Sequence, residues 1–226
     1  MKYQWILFDA DETLFSFNSY LGLKTMLARY GIDFSETDYD AFQEINKPLW
    51  VAYQNKEITI QQLQTIRFAQ LAEKTGKDAL ALNQELMAEM AIVSKPLPNV
   101  MEMLHALHGK VKMGIITNGL EALQQKRLEN TQTVQFFETV VVSEIIGVAK
   151  PDPKIFEFAF DQIGNVDKSQ ILMVGDTLTS DILGANRVGI DSCWFNHTGE
   201  NNKTDIQPTY EITDIRQLIH IVSGQI

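Results

Sequence analysis

The chain has 226 residues, 45% of them hydrophobic, and 29 acidic against 19 basic residues give a formal net charge of −10. A chain of this size can bury a full core and still hold a second small domain. The acidic balance argues against polymeric nucleic acid and anionic membrane surfaces as partners, because both are negatively charged. A small phosphorylated substrate remains compatible with it, since a bound metal ion reverses the field locally.

The sequence predicts a cytoplasmic protein. Its one cysteine, Cys193, can form no internal disulfide. The first residues show no apolar segment followed by a cleavage site, and no apolar stretch approaches the ~20 residues of a membrane span. The oligomeric state is left open.

The order of the elements predicts an α/β fold. Short apolar runs typical of strands end at Phe8, Ile116, Val142, Val174 and Phe195. Between the last four lie segments of helical character, at residues 121–130, 153–163 and 178–188. This alternation predicts a doubly wound parallel sheet, in which ligands bind at the carboxyl ends of the strands.

Residues 16–97 differ from the rest, because they contain no convincing strand and are rich in helix formers. The predicted helices cover residues 20–30, 36–45, 48–54, 60–74 and 79–93. Pro48 is expected to separate the second helix from the third. The two prolines of the segment Lys95-Pro96-Leu97-Pro98 restrict the backbone where the insertion ends. We expect a helical cap domain at 16–97, inserted into a core formed by residues 1–15 and 98–226.

Acidic side chains follow two of the predicted strands. Asp9 and Asp11 stand where the first ends, and Asp176 follows the run that ends at Val174 after one glycine, Gly175. Buried carboxylates usually have a compensating partner, most often a cation. Asp181 follows in the first turn of a helix, where it also suits the helix dipole. By themselves, Asp9 and Asp11 are equally compatible with capping a turn or a helix.

Two further segments offer groups for an anion. Thr117-Asn118-Gly119 follows a strand and provides a hydroxyl and backbone amides, although such a sequence is also an ordinary turn. Lys150 precedes a predicted helix with Asp152 as N-cap and Pro153 at the first position. Most lysines are solvated, but here Lys150 can supply positive charge to a phosphate beside three aspartates.

Together, these residues resemble the four motifs of the haloacid dehalogenase-like (HAD) superfamily, and the helical insertion resembles its C1 cap. The motif positions are Asp9-x-Asp11-x-Thr13, Thr117, Lys150, and Gly175-Asp176 with Asp181. The resemblance implies that Asp9 attacks phosphorus to form an aspartyl phosphate, with Asp11 as general acid and base.

The same resemblance implies a metal site and a phosphate site. The implied Mg²⁺ ligands are Asp9, the backbone carbonyl of Asp11, and Asp176, with Mn²⁺ as an alternative ion. Asp181 then orients metal-bound water. The implied phosphate-binding residues are Thr117, Asn118 and Lys150.

One position departs from the family pattern. The family often has glycine where this chain has Glu12, and glycine tolerates positive φ, so we expect a slightly different loop. A narrower resemblance, to bacterial pyrimidine 5′-nucleotidases acting on UMP, dUMP and TMP, includes Glu12. It is carried by residues 8–15, 46–50 and 115–119.

These observations predict a Mg²⁺-dependent phosphomonoesterase for pyrimidine nucleoside 5′-monophosphates. A base needs a flat apolar surface with a few amide or cationic groups. The candidate base-binding residues are Phe15, Phe17, Asn46, Lys47 and Trp50, although Trp50 and Phe17 are also typical of cap core. A sugar-phosphate phosphatase or phosphomutase is the alternative. A haloacid dehalogenase and a catalytically inactive binding protein are disfavoured, because the full acidic set is present.

Overall fold

The computed structural model describes residues 1–225 and contains a six-stranded sheet in which all the strands are parallel. The strands are β1 Trp5–Phe8, β2 Lys112–Thr117, β3 Thr139–Val142, β4 Ile171–Gly175, β5 Asp191–Phe195 and β6 Tyr210–Ile212. Their order is β3-β2-β1-β4-β5-β6. The predicted doubly wound α/β fold is confirmed, and its five predicted strands end within one residue of the observed positions. The three-residue β6 was not predicted.

Helices connect the strands. The α-helices within residues 1–225 are α1 Ser19–Ala28, α2 Glu36–Gln54, α3 Ile60–Ile66, α4 Ala69–Thr75, α5 Ala79–Val93, α6 Val100–Leu107, α7 Glu121–Asn130, α8 Ser143–Ile146, α9 Pro153–Ile163, α10 Leu183–Val188 and α11 Gln217–Ser223. None of these helices is long and apolar enough to cross a membrane. The segment predicted as one helix at 178–188 is a π-helical turn, Leu178–Ile182, followed by α10.

The chain forms two compact units. The first comprises Met1–Ser16, Lys95–Gly119 and the chain from Gln132 onward, and the second comprises Phe17–Ser94 with Leu120–Thr131. The division differs from the expected boundaries at α7, which the sequence placed in the core. Leu120 and Leu123 belong to the apolar cluster of the second unit, and the Asn130 side-chain amide donates to the Ala91 carbonyl at 3.0 Å.

Two helix predictions in the insertion were wrong. Pro48 does not interrupt α2, which runs unbroken for 19 residues and begins at a capping box formed by Ser35 and Asp38. Proline removes one hydrogen bond, but burial of Phe42 and Tyr53 on either side of it keeps the helix together. The segment predicted as one helix at 60–74 is divided into α3 and α4.

In the first unit, the centre of the sheet is fully buried. Every residue of β1 and β4 is buried, as expected for the central strands of a parallel sheet. The two segments that leave and re-enter this unit run side by side, with Ser16 N–H donating to the Lys95 carbonyl and Leu97 N–H donating to the Leu14 carbonyl, both at 2.9 Å.

Candidate active site

Two aspartates emerge side by side where the strand order reverses. Phe8 of β1 and Val174 of β4 are in register, and the Asp9 N–H donates to the Val174 carbonyl at 2.8 Å. Asp9 and Asp176 therefore follow neighbouring strands at the same sheet edge. In an open parallel sheet, this switch point is where ligands bind.

A third carboxylate joins them. One oxygen each from Asp9, Asp176 and Asp181 lies within 4.8 Å of the others. Asp181 reaches this position from the π-helical turn because Gly175 has no side chain. A Cβ on Gly175 would lie 2.3 to 2.5 Å from atoms of the Asp181 side chain, well inside contact distance.

Lys150 is the cation of this cluster. Its Nζ lies 2.5 Å from Asp9 Oδ1 and 2.8 Å from Asp181 Oδ1, and it donates to the Ile116 carbonyl at 2.6 Å. The side chain is only 1% exposed, so a solvated lysine is ruled out. Burial by itself lowers the pKa of Lys150, but attraction to Asp181 and Asp9 outweighs it, and the pKa is raised.

Lys150 does not fully offset the burial of the carboxylates and the repulsion between them. Burial raises the pKa of Asp9 well above its ordinary value; Lys150 opposes the rise, and the neighbouring carboxylates reinforce it. Burial and the charge of Asp181 raise the pKa of Asp176 to about 7. The cluster thus has more negative charge than one ammonium group balances.

This donor set fits a hard divalent cation. Mg²⁺ and Mn²⁺ prefer carboxylate oxygens, and positive charge between Asp9 and Asp176 relieves their repulsion. Asp181 is already bound by protein groups on both oxygens: Lys150 and Ser180 contact Oδ1, and the Thr177 N–H donates to Oδ2 at 3.0 Å. That arrangement is compatible with the predicted indirect role of Asp181. The cluster defined by carboxylate oxygens does not include Asp11, whose predicted ligand is its backbone carbonyl.

The predicted phosphate-binding residues lie around Lys150. Thr117 is buried at the end of β2, and its Oγ1 accepts from the Gly119 N–H at 3.0 Å. The Asn118 side chain brackets the Lys150 backbone, accepting from its N–H at 2.7 Å and donating to its carbonyl at 3.0 Å. Asn118 therefore positions the lysine loop through its side chain, which leaves its backbone for the predicted phosphate contact.

Glu12 adopts the conformation that glycine favours. Its φ is 56°, in the left-handed region, and its N–H donates to the Phe15 carbonyl at 2.8 Å. The expected change in the loop is therefore not seen at this φ angle. Glu12 lines a cavity of about 390 Å³ in the first unit, together with Asp176, Thr177, Trp194 and His197. Asp176 is the member of the carboxylate cluster that lines this cavity.

The candidate base-binding residues are divided between the two units. Phe15 is fully buried in the first unit, whereas Phe17 is 39% exposed in the second. Asn46, Lys47 and Trp50 share helix α2. Their role in binding a base stays a prediction.

Two of these α2 residues have partners within the second unit. Asn46 accepts from the Arg67 guanidinium at 3.3 Å and donates to Gln43 at 3.0 Å. Trp50 packs against the apolar cluster of that unit, with the Arg67 guanidinium 5.8 Å from its ring centroid. The Trp50 ring therefore has a packing role, as the alternative interpretation of the sequence proposed.

The sequence did not reveal how Asp176 is held. Asp176 N–H donates to Thr13 Oγ1 at 3.0 Å, and its carbonyl accepts from Trp194 Nε1 at 2.8 Å. The sequence identifies Thr13 only as a motif position, and no local sequence pattern indicates a role for Trp194. These partners are separated from Asp176 by 163 and 18 residues, so only the fold brings them together.

Comparison with known proteins agrees with this geometry. A family model described as haloacid dehalogenase-like hydrolase matches residues 3–189. The chain belongs to the haloacid dehalogenase-like hydrolases. It is 46% identical over 96% of its length to pyrimidine 5′-nucleotidase YjjG of Escherichia coli strain K12, and the match covers 97% of that protein.

Two more relatives extend the comparison. Pyrimidine 5′-nucleotidase PynA of Streptococcus pneumoniae is 33% identical, with 100% of this chain and 98% of that protein covered. The magnesium-bound crystal structure of the HAD-hydrolase YfnB from Bacillus subtilis matches with a TM-score of 0.84 and 28% identity, covering 98% of this chain and 99% of that one. The resemblance expected from the motifs, both to the superfamily and to pyrimidine 5′-nucleotidases, is confirmed.

Proposed function

We propose that the protein hydrolyses pyrimidine nucleoside 5′-monophosphates such as UMP, dUMP and TMP, with Mg²⁺ as the working cation and Mn²⁺ as an alternative. The observation that carries the proposal is the 46% identity, over nearly the whole chain, to a protein named as a pyrimidine 5′-nucleotidase. The cluster of Asp9, Lys150, Asp176 and Asp181 supports the same chemistry, since it joins carboxylates for a cation with an ammonium group for a phosphate.

In the proposed mechanism, Asp9 is the nucleophile. Its carboxylate attacks phosphorus and forms an aspartyl phosphate, which divides one displacement into two easier steps. The contact between Lys150 Nζ and Asp9 Oδ1 restrains rotation of the carboxylate, so that Oδ2 is presented in a fixed direction. A bound divalent cation supplies positive charge that keeps the carboxylates ionised and withdraws charge from the phosphoryl oxygens.

Asp11 acts as general acid and then as general base in this proposal. It gives a proton to the departing nucleoside oxygen and takes one from the water that attacks the aspartyl phosphate. Such assistance contributes roughly 10²–10⁴-fold to the rate. Asp11 leaves the first step as a carboxylate, which is the form it needs as a base in the second, and it ends the second step protonated for the next substrate.

The remaining residues bind and orient. We assign the phosphoryl oxygens to Lys150, the Thr117 hydroxyl, and the backbone of Asn118. Asp181 keeps Lys150 in place and would orient a water molecule bound to the cation. The residues proposed to contact the base are Asn46, Lys47 and Trp50, with Phe15 and Phe17 as further candidates. The cytoplasmic location expected from the sequence stays a prediction.

A substrate panel tests the proposal. Phosphate release is measured with UMP, dUMP, TMP, AMP and glucose 6-phosphate, each with Mg²⁺, with Mn²⁺ and with EDTA. We expect the highest kcat/KM on pyrimidine nucleotides and loss of activity in EDTA. Better turnover of glucose 6-phosphate than of the pyrimidine nucleotides would instead support the alternative of a sugar-phosphate phosphatase. Activity on 2-haloacids in EDTA would instead indicate a dehalogenase.

A further inference from the structure

Trp194 contacts the backbone of a proposed metal ligand without belonging to any of the four motifs. Its Nε1 donates to the Asp176 carbonyl at 2.8 Å. Trp194 lies on β5, in register with Gly175 at the end of β4, and it is 5% exposed. Asp176 stands one residue beyond β4, where the regular strand pairing no longer fixes the chain.

The other backbone group of Asp176 is also bound by a side chain. Its N–H donates to Oγ1 of Thr13, which is fully buried. Thr13 and Trp194 therefore hold Asp176 from the two sides that face β1 and β5. With both backbone groups fixed, the direction in which its carboxylate leaves the main chain is set in advance.

We propose that Trp194 is a positioning residue for the cation site, acting through the Asp176 backbone. The inference rests on the proposed cation-dependent function. Tryptophan suits this role because its indole N–H is only a donor and is carried on a rigid, buried ring. Groups that orient metal ligands are typically worth about 10–100-fold in metal affinity, because a misdirected ligand must be reordered when the metal binds.

Direct metal titration of Trp194→Phe tests the inference. Mn²⁺ binding is followed by electron paramagnetic resonance and Mg²⁺ binding by calorimetry, on wild type, Trp194→Phe and the control Trp5→Phe. Trp5 is a similarly buried tryptophan at the start of β1, the far end of the strand from Asp9. The control therefore measures the loss of indole packing in the same sheet.

We expect Trp194→Phe to raise the Mn²⁺ dissociation constant on the order of tenfold, while Trp5→Phe leaves it within about twofold. At saturating metal, kcat of Trp194→Phe is expected to return to within about threefold of wild type, because the bound geometry is regained. A purely structural role would lower thermal stability in both variants and leave the Mn²⁺ dissociation constant unchanged.

A second substitution separates the hydrogen bond from packing. Placing 3-benzothienyl-alanine at position 194 keeps the bicyclic ring and replaces the N–H with sulfur, so the fold is preserved even if phenylalanine is not tolerated. We expect the same loss of Mn²⁺ affinity. If wild type binds Mn²⁺ and the 3-benzothienyl-alanine variant binds it equally well, the inference is overturned and the proposed function stands. If wild type binds neither ion, both are overturned.

Discussion

Replacing Gly175 with alanine is expected to disable the site by displacing Asp181. The added Cβ would lie 2.3 Å from Oδ2, 2.4 Å from Cγ and 2.5 Å from Cβ of Asp181. Non-bonded carbon atoms settle at about 3.5–4.0 Å, so the Asp181 side chain or its main chain has to move by roughly 1 Å. A shift of that size costs on the order of 10²-fold in rate when it misplaces catalytic groups.

The same substitution carries a moderate cost in stability. Overpacking a buried position typically costs about 1–3 kcal/mol, or about 2–12 °C in Tm for a chain of this length. Phosphate release from UMP at saturating Mg²⁺ gives kcat, and thermal unfolding at the same metal concentration gives Tm. Their combination distinguishes a displaced carboxylate from an unfolded protein.

A double-mutant cycle identifies Asp181 as the cause. Asp181→Gly removes all three atoms that the new methyl group meets, and it lowers activity by itself because Lys150 loses a partner. If the steric account holds, adding Gly175→Ala to Asp181→Gly changes kcat by less than about threefold. A further 100-fold loss in that background would refute the reasoning, as would a Gly175→Ala enzyme with wild-type kcat.

Three further predictions concern charge. Asp9→Asn is expected to reduce phosphate release below detection with little change in Tm, because the amide has the same shape but cannot attack phosphorus; appreciable activity in that variant would mean that the nucleophile is misassigned. Lys150→Met is expected to lower Tm, since breaking a buried ion pair costs about 3–5 kcal/mol. That loss is expected to be smallest at acid pH, where Asp9, whose pKa burial raises, becomes protonated; a loss independent of pH in thermal unfolding from pH 5 to 8 would contradict this. Because the pKa of Asp176 is raised to about 7, metal has to displace a proton below that pH, and calorimetry is expected to show weaker Mg²⁺ binding at pH 6 than at pH 8. Stability without metal is expected to change with pH in the opposite direction. A carboxyl with a raised folded-state pKa stabilises the fold at acid pH, and this contribution is lost as the pH rises from about 4 to about 7.

The sequence by itself determined five of the six strands and the residues at their ends. Apolar runs that stop at Asp9 and Asp176 are visible locally, and parallel strands align their carboxyl ends, so the meeting of these acids follows from pattern alone. Helices with clear caps were also predictable. Helix α9 begins after the Asp152 N-cap with proline at its first position, as expected.

Only the tertiary structure decided the features that depend on distant neighbours. Pro48 stays inside α2 because burial around it outweighs one lost hydrogen bond, and α7 joins the second unit through Leu123. Lys150 could have been a surface lysine until the fold enclosed it between Asp9 and Asp181. The bond from Trp194 to Asp176 likewise exists only when β5 lies beside β4. Local sequence records backbone preference and hydrophobic period, whereas burial and long-range hydrogen bonds arise only when separate segments pack together.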